Sequence, residues 1–413
     1  MSRSGSHGAR ASAAVPASDG ELLSRCTKRI DNQCPSRTKS SPVDPVVYIL
    51  EAPQKPNRIA AANNRQPHCP TIKDPIDRFV SNGGRMRLLA TLLGTALCFA
   101  TTNVVGAGLQ LFDVPADAAG GQLTGAVWYP CNGPGHRTIV ENRVIIGTSD
   151  CLLSGNKLPL IVISHGRGGW FGGHHTTAVA LADAGFVVAA INHPGDNMSD
   201  KSRVDDLATL VERPADIKRL IDFMLDSWAN ATRLDRERIG FFGFSMGGYT
   251  GLVVIGGNPD FRKDLPGCKG SNFRACEQLR NGEVPLEQPT HDARIKAAVI
   301  VDPGPGIFFP TASLEAVRVP VQLWSSDPNL SSNYESGCCA VGINRRMPTS
   351  PDYHLVSGAI HFSFLPPCSE SEAKESSRIC TDAPGFDRVA FHKEFNATIF
   401  AFLRKHILGA ETP

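Results

Sequence analysis

What this chain lacks narrows it first. Its main apolar run, Leu88 to Ala100, is shorter than the ~20 residues a bilayer-spanning helix needs, so no stable membrane span is expected. No CxxC pair is present, which removes zinc ribbons and thioredoxin-like redox chemistry. Charge of one sign is missing too. Lys and Arg number 42 against 40 Asp and Glu, a net of +2, so bulk charge gives nucleic acid no reason to bind. No internal repeat is visible, and the adjacent His174 and His175 have no third metal ligand at a recognisable spacing; they read as an exposed loop. Neither a metal nor any other cofactor is expected.

The small charge excess is unevenly placed. Residues 1–85 hold 13 basic against 7 acidic side chains, and the remainder holds 29 against 33. That first stretch is rich in Ser, Pro, Asn and Arg, with no sustained period of 3.6 or 2. It could not bury enough apolar surface to offset the entropy of ordering it. At Arg85-Met86-Arg87 the character changes. A charged start, the apolar run 88–100 and the small residues Val105-Gly106-Ala107 make up a secretory signal over 86–107. Such signals sit at a chain's start, so residues 1–85 are either a disordered extension or a start assigned too early, with Met86 as the true start. Export to the periplasm or the medium is the expected outcome. The eight cysteines beyond residue 107 fit that compartment, and Cys131–Cys151, Cys268–Cys276 and Cys368–Cys380 are plausible local disulfides.

Residues 108–413 read as one α/β domain. Short Ile- and Val-rich runs at 157–164, 186–191, 238–242, 296–301, 319–324 and 353–356 read as buried strands. They alternate with helical patterns at 176–184, 210–229, 246–255 and over the C-terminal Val389, Phe395, Ile399 and Leu403. Pro214 is expected in the first turn of its helix or at a break before it. This alternation specifies a mainly parallel central sheet with helices on both faces. The polar, Gly- and Pro-containing stretch 257–292 reads as an insertion or lid.

The chemistry centres on Gly243-Phe244-Ser245-Met246-Gly247, directly after a strand and before a helix. A serine on that sharp turn carries its hydroxyl above the sheet, and the glycines relieve crowding. The helix N-terminus adds free N–H groups where an oxyanion would form. The loop after the strand ending at Ser164, His165-Gly166-Arg167-Gly168-Gly169, supplies a second donor on this plan. The Arg167 and Met246 amides are the candidate oxyanion donors, Gly166 lets the substrate approach, and His165 is structural. His361, just after the last strand, is the candidate base. Two aspartates could orient it: Asp302 after strand 296–301, and Asp327 after strand 319–324. Spacing alone leaves that choice open. Ile307, Phe308 and Phe309 are candidate walls of an apolar acyl pocket, with no metal in the site.

Taken together, Leu158 to Asn192, the GFSMG turn, the strand ending in Asp302 and Gly-Ala-Ile-His361-Phe resemble the plasma-type platelet-activating-factor acetylhydrolases and their bacterial dienelactone-hydrolase-like relatives. The resemblance covers most of residues 120–405. It implies the α/β-hydrolase fold, a serine esterase acting on short-chain acyl or acetyl esters including phospholipid-derived ones, and Asp302 as the triad acid. True dienelactone hydrolases use a cysteine nucleophile, and here Ser245 stands in its place. The expected partner is a small-molecule ester or lipid substrate. A serine peptidase or thioesterase on the same fold, or a non-catalytic binding protein, are the competing readings.

Overall fold

The computed structural model describes residues 107–409 apart from 132–136, 141–142, 150, 263, 286 and 331–336. The extension 1–85 and the export signal, except for Ala107, lie outside the described residues.

The chain enters as an antiparallel pair, β1 (Gly108–Val114) and β2 (Leu123–Tyr129), followed by a separate hairpin of β3 (Arg137–Val140) and β4 (Arg143–Ile146). Strands β5 (Leu158–Ser164), β6 (Val187–Ile191), β7 (Leu234–Phe244), β8 (Ile295–Val301), β9 (Val321–Ser325) and β10 (Asp352–Leu355) follow. The main sheet has eight strands in the order β1-β2-β6-β5-β7-β8-β9-β10, parallel from β6 onward. Every strand run expected from apolar patterning appears, with ends shifted by a few residues. The apolar patterning does not disclose β1 to β4; half of β1 faces solvent, which dilutes its pattern.

Alternation along β5 shows why its sequence is apolar throughout. Leu160 and Val162 pack into one core, and Ile161 and Ile163 into the other. Helices α1 (His175–Asp183) and α6 (Arg388–Leu403) cover the second core with Leu181, Phe395, Ile399 and Leu403. Helices α2 (Leu207–Asp226) and α3 (Met246–Val254) cover the first with Leu210, Ile217, Leu220 and Leu252. Two more, α4 (Arg274–Arg280) and α5 (Gly337–Arg346), lie in the later connections. Among the described residues no helix is long and apolar enough to cross a membrane.

Pro214 departs from expectation. It sits inside α2, well past the first turn. An interior proline costs ~3 kcal/mol, but burying one large apolar side chain returns ~1.5–3 kcal/mol and α2 buries many. The disulfides Cys131–Cys151, Cys268–Cys276 and Cys368–Cys380 are all present. The second ties the start of α4 to the turn before it.

Candidate active site

The strands β5, β7 and β8 all end at one edge of the sheet, where Ser164 pairs in register with Gly243, and Phe244 with Val301. Loops leaving this edge carry the chemistry, as expected for an open α/β sheet.

Ser245 forms the corner between β7 and α3, with φ 55° and ψ −117°. A residue with a side chain is strained there by roughly 1–3 kcal/mol, and such strain persists only where neighbours over-determine it. They do so here. The Ser245 amide donates to the Val301 carbonyl at 2.9 Å, and its own carbonyl accepts from Gly304 N at 3.1 Å. The motif's glycines are forced by close approach. A Cβ on Gly247 would lie 1.9 Å from the Ser164 carbonyl oxygen, and one on Gly243 would lie 2.2 Å from the Gly247 oxygen.

The hydroxyl of Ser245 lies 2.9 Å from His361 Nε2, and His361 Nδ1 lies 2.6 Å from Asp302 Oδ2. The order fixes the tautomer: Nδ1–H donates to the carboxylate, leaving Nε2 to accept the Ser245 proton. Asp302 is fully buried, but its charge is well met, because Oδ1 accepts the Ser326 amide and Oδ2 the Ser326 hydroxyl. Of the two carboxylates the sequence offered, Asp302 is the one that meets His361. Asp327 instead fastens the histidine loop from behind. Its Oδ2 accepts from Gly358 N, and its own N–H donates to the Ala359 carbonyl.

These side chains open onto a cavity of about 830 Å³, within the range of small-molecule sites. Gly166, Arg167 and Met246 line it together with Ser245 and His361. The loop 165–169 is held from beneath by a buried polar network. Gly168 N donates to Asp196 Oδ1 at 2.7 Å; Arg213 pairs with Asp196 Oδ2 and also donates to the His165 carbonyl. Neither Arg213 nor Asp196 was singled out from sequence. A signal for Arg213 existed: it lies three residues after Leu210 and four before Ile217, on the apolar stripe of α2, where a cation needs a partner.

The same network contains a second serine–histidine–aspartate chain. Ser164 Oγ lies 2.9 Å from His193 Nε2, and His193 Nδ1 lies 3.0 Å from Asp216. Ser164 and His193 are fully buried and are not among the residues that line this cavity, so this chain supports the loop rather than meeting a substrate there. Burial pushes the His193 imidazole well below its ordinary range and raises Asp216 to about 7. His165 plays the structural part expected of it, taking the His193 amide on Nε2 and facing the Gly166 carbonyl through Nδ1.

Two expectations fail. Phe308 and Phe309 do not line the cavity. Both are fully buried in the core against Tyr249, and Ile307 packs against that core as well. An apolar triplet near the sheet edge suits either place, and here the helix α3 claims it. The cavity's apolar walls are Trp170, Phe244, Phe273, Phe362 and Leu365 instead. His174, read as part of an exposed loop, is buried, edge-on to both Phe242 and Phe244.

Among solved structures, a ferulic acid esterase from Streptomyces cinnamoneus aligns with a TM-score of 0.52 over 76% of this chain and 93% of its own, at 16% identity. The fold is that of the α/β-hydrolases. Residues 155–265 match the family model described as serine aminopeptidase, S33. The matched segment carries Ser245 and the loop 165–169, and stops short of Asp302 and His361. No curated protein matches the chain. Among the described residues no cluster of side chains could hold a metal ion.

Proposed function

We propose that this protein is a serine esterase that cleaves carboxylic esters through an acyl-enzyme on Ser245. The observation that carries the reading is the continuous relay from the Ser245 hydroxyl through His361 to Asp302, opening into a cavity of substrate size. The Ser245 oxygen attacks the ester carbonyl while His361 Nε2 takes its proton. The tetrahedral oxyanion is received by the Arg167 and Met246 amides. His361 returns the proton to the departing alcohol, and water repeats the sequence on the acyl-enzyme. Asp302 holds the tautomer and stabilises the imidazolium. The substrates are short-chain acyl or acetyl esters, phospholipid-derived ones among them. Three disulfides in one chain favour an exported enzyme, as the signal over 86–107 does.

The match to a serine aminopeptidase model makes a peptidase the second reading. Such an enzyme needs a free carboxylate for the substrate's amine. The acidic residues lining the cavity, Asp205 and Glu372, are each paired with an arginine, Arg167 and Arg143 respectively. That favours esters.

The test is turnover of a panel of acetyl, butyryl and octanoyl esters, matched thioesters and aminoacyl amides by the enzyme and by Ser245→Ala. Ester turnover should fall at least ~10³-fold in the variant, with loss of fluorophosphonate labelling. Undiminished hydrolysis by Ser245→Ala sinks the proposal; faster cleavage of amides than esters by the unaltered enzyme selects the peptidase.

A further inference from the structure

The two oxyanion donors named above belong to separate pieces of chain, the Arg167 amide to the loop after β5 and the Met246 amide to the first residue of α3. One oxygen is held by both only when the spacing of these pieces is fixed. A single side chain bonds to both. Arg213, on α2, is 1% exposed and donates in three directions. Nη2 donates to the His165 carbonyl and, at 3.1 Å, to Ser164 Oγ. Nη1 donates to Asp196 Oδ2 at 2.7 Å, and Asp196 Oδ1 takes the Gly168 amide at 2.7 Å. The loop is thereby clasped on both sides of Arg167. Toward α3, Nε donates to Thr250 Oγ1 at 3.1 Å, and that hydroxyl donates to the Met246 carbonyl at 3.0 Å.

The residue type carries information. A guanidinium is planar, keeps its charge and presents its N–H donors in a rigid fork, so one group fixes several acceptors at set angles. A buried ion pair adds little net stability, because desolvation of both partners offsets their attraction, and an apolar pair of like volume fills such a space as well. An apolar pair cannot set the register of a loop against a helix. These bonds go to none of Ser245, His361 and Asp302, so Arg213 acts beside the relay and not through it.

We propose that Arg213 is a positioning residue that holds the Arg167 and Met246 amides at the spacing an oxyanion requires. The inference rests on the serine-esterase reading above. Its effect falls on the transition state, where the negative oxygen forms, and not on the ester as it first binds.

The experiment measures kcat and KM for p-nitrophenyl acetate, and the inhibition constant of an alkyl trifluoromethyl ketone. Ser245 Oγ adds to the ketone carbon, His361 takes the proton, and the carbonyl oxygen becomes the oxyanion. Two variants cut the link differently. Arg213→Lys leaves a cation for Asp196 without the fork; Thr250→Val keeps the side-chain shape and removes only the arm to α3. Misplacing a group by about 1 Å costs on the order of 100-fold, so kcat should fall about 30- to 100-fold in Arg213→Lys and about tenfold in Thr250→Val, with KM changed less than about twofold. The inhibition constant should rise by the factor that kcat falls. The acid limb of the pH profile, set by His361, should stay in place. The double variant should be no slower than Arg213→Lys alone, since both cut one link. Should Arg213→Lys fail to fold, Thr250→Val decides by itself. A kcat within about twofold of the unaltered enzyme in the folded variants overturns the proposal, as does a loss confined to KM or a displaced acid limb. Failure of the underlying reading is distinct: Ser245→Ala then hydrolyses the ester as fast as the unaltered enzyme.

Discussion

At the scale of single residues, the two candidate aspartates divide their labour by what they touch. Asp302 meets the imidazole directly at 2.6 Å, while Asp327 binds the backbone at Gly358 and Ala359. Asp302→Asn should therefore lower kcat by ~10³–10⁴-fold, because an amide at Oδ2 disfavours the required tautomer. Asp327→Asn should cost only about tenfold, through a loosened loop. Steady-state kinetics on one ester checks both, and equal losses would refute the division. Ser245 and His361 were legible because a serine between glycines and a histidine after the last strand each sit where the fold delivers them. The choice between the aspartates was not, since both follow a strand and both lie between serine and histidine in order. Only the three-dimensional reach of His361 separates them.

At the scale of elements, the parallel strands and their helices could be read from periodicity because each is buried on both faces. The parts that escaped are those where a competing interaction decides. Phe308 and Phe309 are claimed by α3, Pro214 is carried inside α2 by packing, and β1 is half exposed. The stretch after His361 is one such part with functional weight. Pro366, Pro367, Cys368 and Ile379 form a wall of the cavity, and Cys368–Cys380 closes a loop across it with a sequence separation of 12. A loop of this size is held by its cross-link to the extent of ~3 kcal/mol. Replacing both cysteines by serine should raise KM for bulky esters several-fold and lower the melting temperature. Fluorophosphonate labelling of Ser245 should persist, since the relay lies outside the loop. An unchanged KM would show that the wall holds its shape without the bond.

At the scale of the whole molecule, acid is the weak point. Burial holds His165 and His193 well below their ordinary range, His174 at about 3 and His392 at about 4, against 6.5 for an exposed imidazole. Between pH 6.5 and 4 the unfolded chain takes up protons that the folded one refuses. This stability is complete above pH 6.5 and is lost as pH falls, by up to ~1.4 kcal/mol per pH unit for each imidazole. Asp216, raised to about 7, acts in the opposite sense and offsets one of them, because it binds its proton more readily in the folded state. Urea denaturation should give a lower midpoint at pH 5 than at pH 7, and His174→Phe should shrink the difference.

Ser245 and the imidazole of His361 are separated by 116 residues of chain. A nascent polypeptide that has just completed the turn at Ser245 thus presents an ordinary alcohol, since His361 has not yet been synthesised. Reactivity arrives only when β9 and β10 have docked and His361 has swung in behind them. On the proposed mechanism, a molecule clipped before His361 keeps the serine and lacks its base, and should be inert toward esters.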